Sequence, residues 1–225
     1  MPAILGTVYL TCGALVIGLP LGIASAIYLT EYAKQGKIVR FIKVGINCLA
    51  GVPSVVFGLF GLGFFVILMK FGSSILSGSL TLGFLILPTI IGASEEALKS
   101  VPQTFREASL SLGVSKWQTT FRIVIPNAMP GILTGSILGI GRAAGETAPI
   151  MFTAAAYFTT KLPGSIFDEV MALPYHIYVL ATAGTNIEAT RPIQFGTVLV
   201  LVAVVLGIDL IAIIIRSYMR RNKRW

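Results

Sequence analysis

Charge is what this chain of 225 residues has least of: 12% of it is Asp, Glu, Lys or Arg, where soluble domains run near a quarter. Against that stand 55% hydrophobic residues and a mean hydropathy of +0.87. A soluble domain of this size has nowhere to hide so much apolar surface, and a disordered chain needs the opposite balance. Cysteine is nearly missing: Cys12 and Cys48, both inside apolar stretches, make neither a disulfide framework nor a zinc site. With His176 the only histidine there is no His-Glu-x-x-His, and no Ser/His/Asp set or paired Asp suggests an intramembrane enzyme, so neither catalytic residues nor a metal are expected. No Gly-x4-Gly-Lys-Ser/Thr occurs, which leaves the chain without a P-loop of its own. Residues 1–5 lack the basic start of a secretory signal. The net charge of +8 would point to nucleic acid only if it lay on a soluble face, and its placement excludes that partner.

What is present is length without charge. Crossing about 30 Å of hydrocarbon takes about 20 apolar residues of helix. Five segments qualify: 3–29, 44–69, 75–94, 127–158 (interrupted by Arg142 and Glu146) and 195–215 (interrupted by Asp209). The alternating strands of a membrane barrel are absent. The expected fold class is therefore all-α, a polytopic membrane helix bundle forming a single domain over residues 1–225.

Orientation follows from the basic residues. Lys34, Lys37, Arg40 and Lys43 fall between spans one and two, and Lys99, Arg106, Lys116 and Arg122 between three and four. Arg216, Arg220, Arg221, Lys223 and Arg224 fill the tail. These thirteen face only Lys70, Lys161 and Arg191 on the other side. The C-terminus is thus expected in the cytoplasm and the N-terminus outside, as five spans require. An external start without a signal calls for a reverse anchor or a further upstream helix, and the upstream helix is the expectation.

The cytoplasmic link 100–126 is patterned. Ser100-Val101-Pro102-Gln103 reads as a capped helix start, and an amphipathic piece runs through Phe105, Ala108 and Leu112 to a C-terminal glycine, Gly113. Ser115-Lys116-Trp117-Gln118 repeats the capping pattern and starts a second helix that enters the membrane at Pro126. Pattern alone leaves two readings open, a hairpin lying on headgroups and a docking knob.

The residues favour the second. Glu107-Ala108-Ser109, three residues, Gly113, nine residues, then Ile123-Val124-Ile125-Pro126 resembles the EAA loop of ABC-importer permeases, Glu-Ala-Ala, x3, Gly, x9, Ile-x-Leu-Pro. Ser109 and Ile125 are the two departures. The resemblance implies the MetI-like transmembrane domain of type I ABC importers. It also implies that the loop, through Glu107, Ala108, Ser109, Gly113, Ile123 and Pro126, docks on a separate ATPase. ATP and Mg would then sit on two partner ATPase subunits, with no cofactor on this chain. Pro53-Ser54-Val55-Val56-Phe57-Gly58 and Arg142-Ala143-Ala144-Gly145-Glu146-Thr147-Ala148-Pro149 look like the permeases of phosphate (Pst) importers. Leu173-Pro174-Tyr175-His176-Ile177-Tyr178 is similar to their A-type rather than their C-type permease. That implies phosphate transport in a bacterial or archaeal cytoplasmic (inner) membrane, a second homologous permease, and an external phosphate-binding protein docking on the loop 159–192. It also implies a further N-terminal helix. Other oxyanions (phosphonate, sulfate, molybdate) remain open as cargo. A stand-alone secondary transporter would need internal repeats, into which five spans do not divide.

Ionisable residues at bilayer depth are functional candidates. Arg142 lies roughly 22 Å along span four. A step of about 100° per residue puts Gly131, Gly135, Gly139, Arg142, Glu146, Pro149 and Thr153 on one face, where glycines admit a close neighbour. One reading is a self-neutralising i, i+4 pair. The other is a substrate pathway of Arg142, Glu146 and Thr147, in which the guanidinium's fork meets the oxyanion and Glu146 restrains it when empty. Pro149 makes the helix breakable after Gly145. Since Arg142 and Glu146 sum to zero, a second permease would supply the net positive charge. Asp209 reads as structurally paired, Glu95 as paired with Lys99, and His176 as a packing residue. A helix from Ser165 to about Ala181, bent at Pro174, is expected in the external loop.

Overall fold

The computed structural model describes residues 1–159, 161–183 and 187–221 and, for 187–189 and 219–221, the backbone alone. Lys223 and Arg224 of the charge balance lie outside the described residues, as do 160 and 184–186 of the external loop. Among the described residues ten α-helices follow in order: α1 Pro2–Ile27, α2 Lys37–Ala50, α3 Ser54–Gly61, α4 Ile75–Lys99, α5 Gln103–Ser111, α6 Lys116–Thr119, α7 Ile125–Gly145, α8 Ala148–Thr153, α9 Leu173–Thr182 and α10 Ile187–Arg221. Three π-helical stretches adjoin them, Tyr28–Tyr32 after α1, Leu62–Leu68 after α3 and Thr120–Val124 between α6 and α7. Among the described residues there is no strand, only one isolated parallel bridge, Ala155 to Val170.

Among the described residues four helical runs are long and apolar enough to cross a membrane: Pro2–Tyr32, Ile75–Lys99, Lys116–Gly145 and Thr190–Tyr218. A fifth is reached if the bent pair Lys37–Ala50 and Ser54–Leu68 counts as one span. The all-α membrane bundle stands, but two expected spans change. The span over 44–69, which Pro53 and Gly58 are expected to kink or thin, is two helices broken at 51–53, because Pro53 has no amide to donate and pushes Val52 out of helical conformation. The helix expected over 127–158 starts earlier and stops earlier, running Lys116–Gly145 and resuming only as the short α8. The face drawn from Gly131 to Thr153 therefore ends at Gly145. Prolines inside α1, α4, α7 and α10 do not end these helices, as membrane helices tolerate them.

The chain divides into two compact units. Unit 1 comprises Met1–Gly18, Gly51–Ile86 and Ile140–Asp209; its core holds Leu10, Leu82, Leu85, Ala154 and Val170. Here the start of α4 is tied down. Ser74 Oγ accepts from the Ser77 amide at 3.2 Å, and the amides of Ser74, Ile75 and Leu76 donate to the carbonyls of Thr153, Asp168 and Ile166 at 2.9 Å each. These bonds satisfy donors that a helix start leaves over. They also explain why Ser165 begins no helix. Asp168 Oδ2 accepts from the amides of Gly164 and Ser165 at 2.8 and 2.9 Å, closing a loop whose carbonyls serve α4. The helix of this region is α9 alone, and Pro174 stands in its first turn rather than bending it.

Unit 2 comprises Leu19–Ala50, Leu87–Gly139 and Leu210–Trp225. Its core cluster includes Leu29, Val39, Ile91, Leu98, Val101 and Ile132, with Phe105 packed against it. Gly131 and Gly135 let α7 lie directly on Ala97 and Ala93 of α4, the close approach expected of those glycines. Lys99 pairs with Glu95 at 2.6 Å as expected, and Lys43 joins the same carboxylate at 2.5 Å.

Candidate functional site

Two groups of residues singled out in the sequence form separate sites, one in each unit.

In unit 2, residues 100–126 fold as a helical hairpin. The first arm is α5, but its start is not capped by Ser100. Pro102 occupies the N-cap position without a side-chain bond, and Ser100 Oγ donates to the Ala97 carbonyl at 2.8 Å. Gly113, at φ +77, provides the left-handed residue that ends the arm, and its amide donates to the Leu110 carbonyl at 3.0 Å. The second arm opens with the expected capping box: the Gln118 amide donates to Ser115 Oγ, and the Ser115 amide to Gln118 Oε1. A π-helical turn then leads into α7 just before Pro126. The missing proline amide leaves the Arg122 carbonyl without its usual partner, which favours such a widened turn.

Glu107 and Ala108 are exposed on the outer side of α5, Ser109 is buried, Gly113 sits at the exposed tip, and Ile123 and Pro126 are half-buried in the second arm. The signature thus divides between an open face and the joint that holds it. Ser109 explains one of its own departures: its hydroxyl and that of buried Thr119 lie 2.9 Å apart and join the arms, a bond alanine could not make. At the tip Leu112 is 83% exposed, and Leu110 and Trp117 are exposed beside it, with Trp117 against Phe121 at 3.9 Å between ring centroids.

In unit 1, α7 ends at Gly145 and α8 begins at Ala148. Arg142 Nε and Glu146 Oε1 are 3.7 Å apart, with the side chains 30% and 19% exposed. This is a loose ion pair at a helix break. Thr147 is the residue before α8 and makes no side-chain cap bond. Gly58 of α3 lies against Phe152, the Ala148 carbonyl and Pro149 of α8. The two stretches that resemble phosphate permeases, 53–58 and 142–149, therefore meet at Gly58 and Ala148–Pro149. Glu146 also edges a small cavity with Thr7, Leu10, Thr11, Ala143 and Pro174. Its volume of about 10 Å³ is room for one water at most, not for an oxyanion. Asp209 does not show the structural pairing expected of it. Its buried Oδ1 has no hydrogen-bond partner, and Arg216 donates to Thr134 Oγ1 at 3.1 Å. His176 is in contact with a groove lined by Met1, Leu173 and Val200, in keeping with packing.

Sequence reasoning missed the partners Lys43–Glu95 and Arg106–Glu31. One signal was available: Glu31 is the only acidic residue among the first 94, and a lone carboxylate ending an apolar helix needs a cation nearby.

Several helices long and apolar enough to cross a membrane, with a patterned hairpin between two of them, are the features of a membrane-embedded helical component. Solved structures agree on the fold. A chain of the MetNI methionine ABC transporter in an inward-facing form superimposes with a TM-score of 0.72 at 19% identity, over 97% of this chain and 93% of that one. A chain of a bacterial ABC transporter that imports the acidic polysaccharide alginate gives 0.71 at 15% identity, over 99% and 79%. Residues 18–225 match the family of binding-protein-dependent transport system inner membrane components, and the chain belongs to that family. It is a multi-pass inner-membrane permease. It is 40% identical over 224 residues to "Phosphate transport system permease protein PstA 1" of Mycobacterium tuberculosis H37Rv, covering 99% of this chain and 71% of that protein. It is 35% identical to PstA of Xylella fastidiosa 9a5c over 98% and 75%. Against "Probable ABC transporter permease protein YqgI" of Bacillus subtilis 168 it is 36% identical over 87% and 70%.

Proposed function

We propose that this chain is one of two permeases through which an ATP-driven importer moves inorganic phosphate across the inner membrane by alternating access. The reading is carried by one observation: the EAA spacing folds into a hairpin whose Glu107 and Ala108 face outward while Ser109 closes it from within. Relatives named as phosphate permeases over nearly the whole chain supply the cargo.

In this reading Glu107, Ala108, Ser109, Gly113, Ile123 and Pro126 form the knob that two ATPase subunits grip, one here and one on a homologous second permease. Hydrolysis, with ATP and Mg, takes place on those subunits and not on this chain. An external phosphate-binding protein delivers the anion. Arg142, Glu146 and Thr147 meet it at the break between α7 and α8, where a fork of donors that never loses its charge suits an oxyanion. The 3.7 Å pair sets the Glu146 carboxylate beside that guanidinium.

The test is ATP-dependent uptake of radiolabelled phosphate by the purified complex in proteoliposomes. Uptake is expected to survive excess sulfate and to vanish with excess phosphate. Arg142→Lys keeps the charge but loses the fork and is expected to cut uptake at least about tenfold, the factor set by 1.4 kcal/mol. A complex that carries phosphonate or molybdate in preference would overturn the cargo, and unchanged uptake by Arg142→Lys would overturn the pathway.

A further inference from the structure

Glu31 stands in the π-helical turn that ends α1. Arg106, on the first arm of the hairpin, reaches it with two nitrogens: Nη2 donates to Oε1 at 2.8 Å and Nε to Oε2 at 3.3 Å. The same guanidinium donates from Nη1 to the Val101 carbonyl at 2.7 Å and from Nη2 to the Leu98 carbonyl at 2.8 Å. The two side chains are 13% and 7% exposed. One planar group therefore fastens three pieces of unit 2, namely the end of α1, the end of α4 and α5.

An exposed ion pair in this position would contribute little. This one is mostly buried, bidentate, and further bonded to backbone, the geometry in which losing one partner strands a charge. Stability alone is a weak reason for it, because well-packed apolar residues serve as well or better at such places, and an apolar cluster of Leu29, Leu98, Val101 and Phe105 already adjoins it. What the forked pair adds is direction: it fixes the angle and distance between the hairpin and two helix ends. Lysine, a point charge, could not do the same. A second tie crosses the joint, with Lys116 Nζ 5.4 Å from the centre of the Tyr32 ring.

We propose that Arg106 and Glu31 are positioning residues that lock the hairpin to the ends of α1 and α4, so that a push on the knob moves those helix ends rather than bending the hairpin. This rests on the knob being the ATPase contact. The experiment compares the wild-type complex with Glu31→Gln, Arg106→Lys and the double variant E31Q/R106Q, reading phosphate taken up per ATP hydrolysed. Variant complexes are expected to retain their ATPase subunits and to hydrolyse ATP, while the ratio falls about tenfold, within the usual range for coupling between two sites. The double variant leaves no stranded charge, so its amount in the membrane recovers while its ratio stays low; a merely structural pair would recover both. A wild-type ratio in the double variant overturns the proposal, and so does one in Arg106→Lys, which keeps a buried cation if neutral variants fail to accumulate. Amide exchange supplies a readout that needs no cargo. Cutting the pair is expected to speed exchange over 27–33 and 103–111 together, and unchanged exchange is equally fatal. Loss of the functional reading would show differently, as a wild-type complex with no ATP-driven phosphate uptake.

Discussion

Adding a single methyl group at Gly58 tests whether α3 and α8 truly meet. A Cβ there would lie 2.8 Å from Phe152 Cδ2 and 3.0 Å from both the Ala148 carbonyl oxygen and Pro149 Cα, where ordinary contact begins at 3.4 Å. The phenylalanine ring can turn aside, but the two backbone atoms cannot, so the helices must part by a few tenths of an ångström. Forcing a methyl into packing this tight costs about 1–3 kcal/mol. Replacing glycine by alanine in a helix also returns roughly 0.5–1 kcal/mol of backbone entropy, so the raw change understates the clash. Gly63, with nothing within 4 Å of its Cβ position, shares that gain without the clash and is the control. At roughly 2–4 °C per kcal/mol for a chain of this length, Gly58→Ala is expected to melt roughly 2–12 °C below Gly63→Ala in the detergent-purified complex. Because α8 directly follows the break that holds Glu146 and Thr147, phosphate uptake is expected to fall in the first variant and hold in the second. Equal melting temperatures would mean that α3 does not pack on α8 as described, and the link between residues 53–58 and 142–149 would be lost.

Three further outcomes follow from the geometry. Ser109→Ala leaves the buried Thr119 hydroxyl alone and should cost about 1–3 kcal/mol, whereas Ser109→Ala with Thr119→Val should cost less than either change alone, as read by thermal unfolding. Gly113→Ala places a side chain at φ +77, a strain of about 1–2 kcal/mol, and should loosen the hairpin and lower recovery of ATPase subunits on purification. Burial holds His176 below its ordinary pKa of 6.5, so the folded state favours the neutral ring. Stability is then full above that value and declines as pH falls through 6.5 toward the folded pKa. His176→Gln should remove this component, seen as a smaller loss of melting temperature between pH 7.5 and pH 5.

Much of this was legible in the sequence because apolar length, capping boxes and glycine positions act locally. The Ser115–Gln118 box, the left-handed Gly113 and the glycine-to-alanine contacts of α7 needed only neighbours a few residues away. Ser100 and Ser165 carried similar patterns and failed as helix caps, since a carbonyl at Ala97 and an Asp168 loop claimed their bonds. Hydropathy could find the stretch 44–69 but not its break, because a helix and a broken pair are equally apolar; only Pro53 marked the place. The unreadable part was long-range pairing. Nothing in local pattern tells Arg106 to choose a carboxylate 75 positions back, or Lys43 one 52 positions ahead. Both carboxylates are largely covered, and the isolation of Glu31 in the sequence was the only hint.

Those late pairings bear on how the nascent chain finds its place. Lys43, Lys99 and Arg106 belong to the cationic set that retains loops at the inner surface during insertion, when every one still carries a naked charge. After folding, Glu31 pairs with Arg106 while Glu95 is shared by Lys43 and Lys99, so one positive charge is left over. The same three side chains thus work twice, first as a brake on the translocating polypeptide and afterwards as mortar between finished helices. A charge-removing change at any of them should injure biogenesis and the mature machine by different routes and at different times.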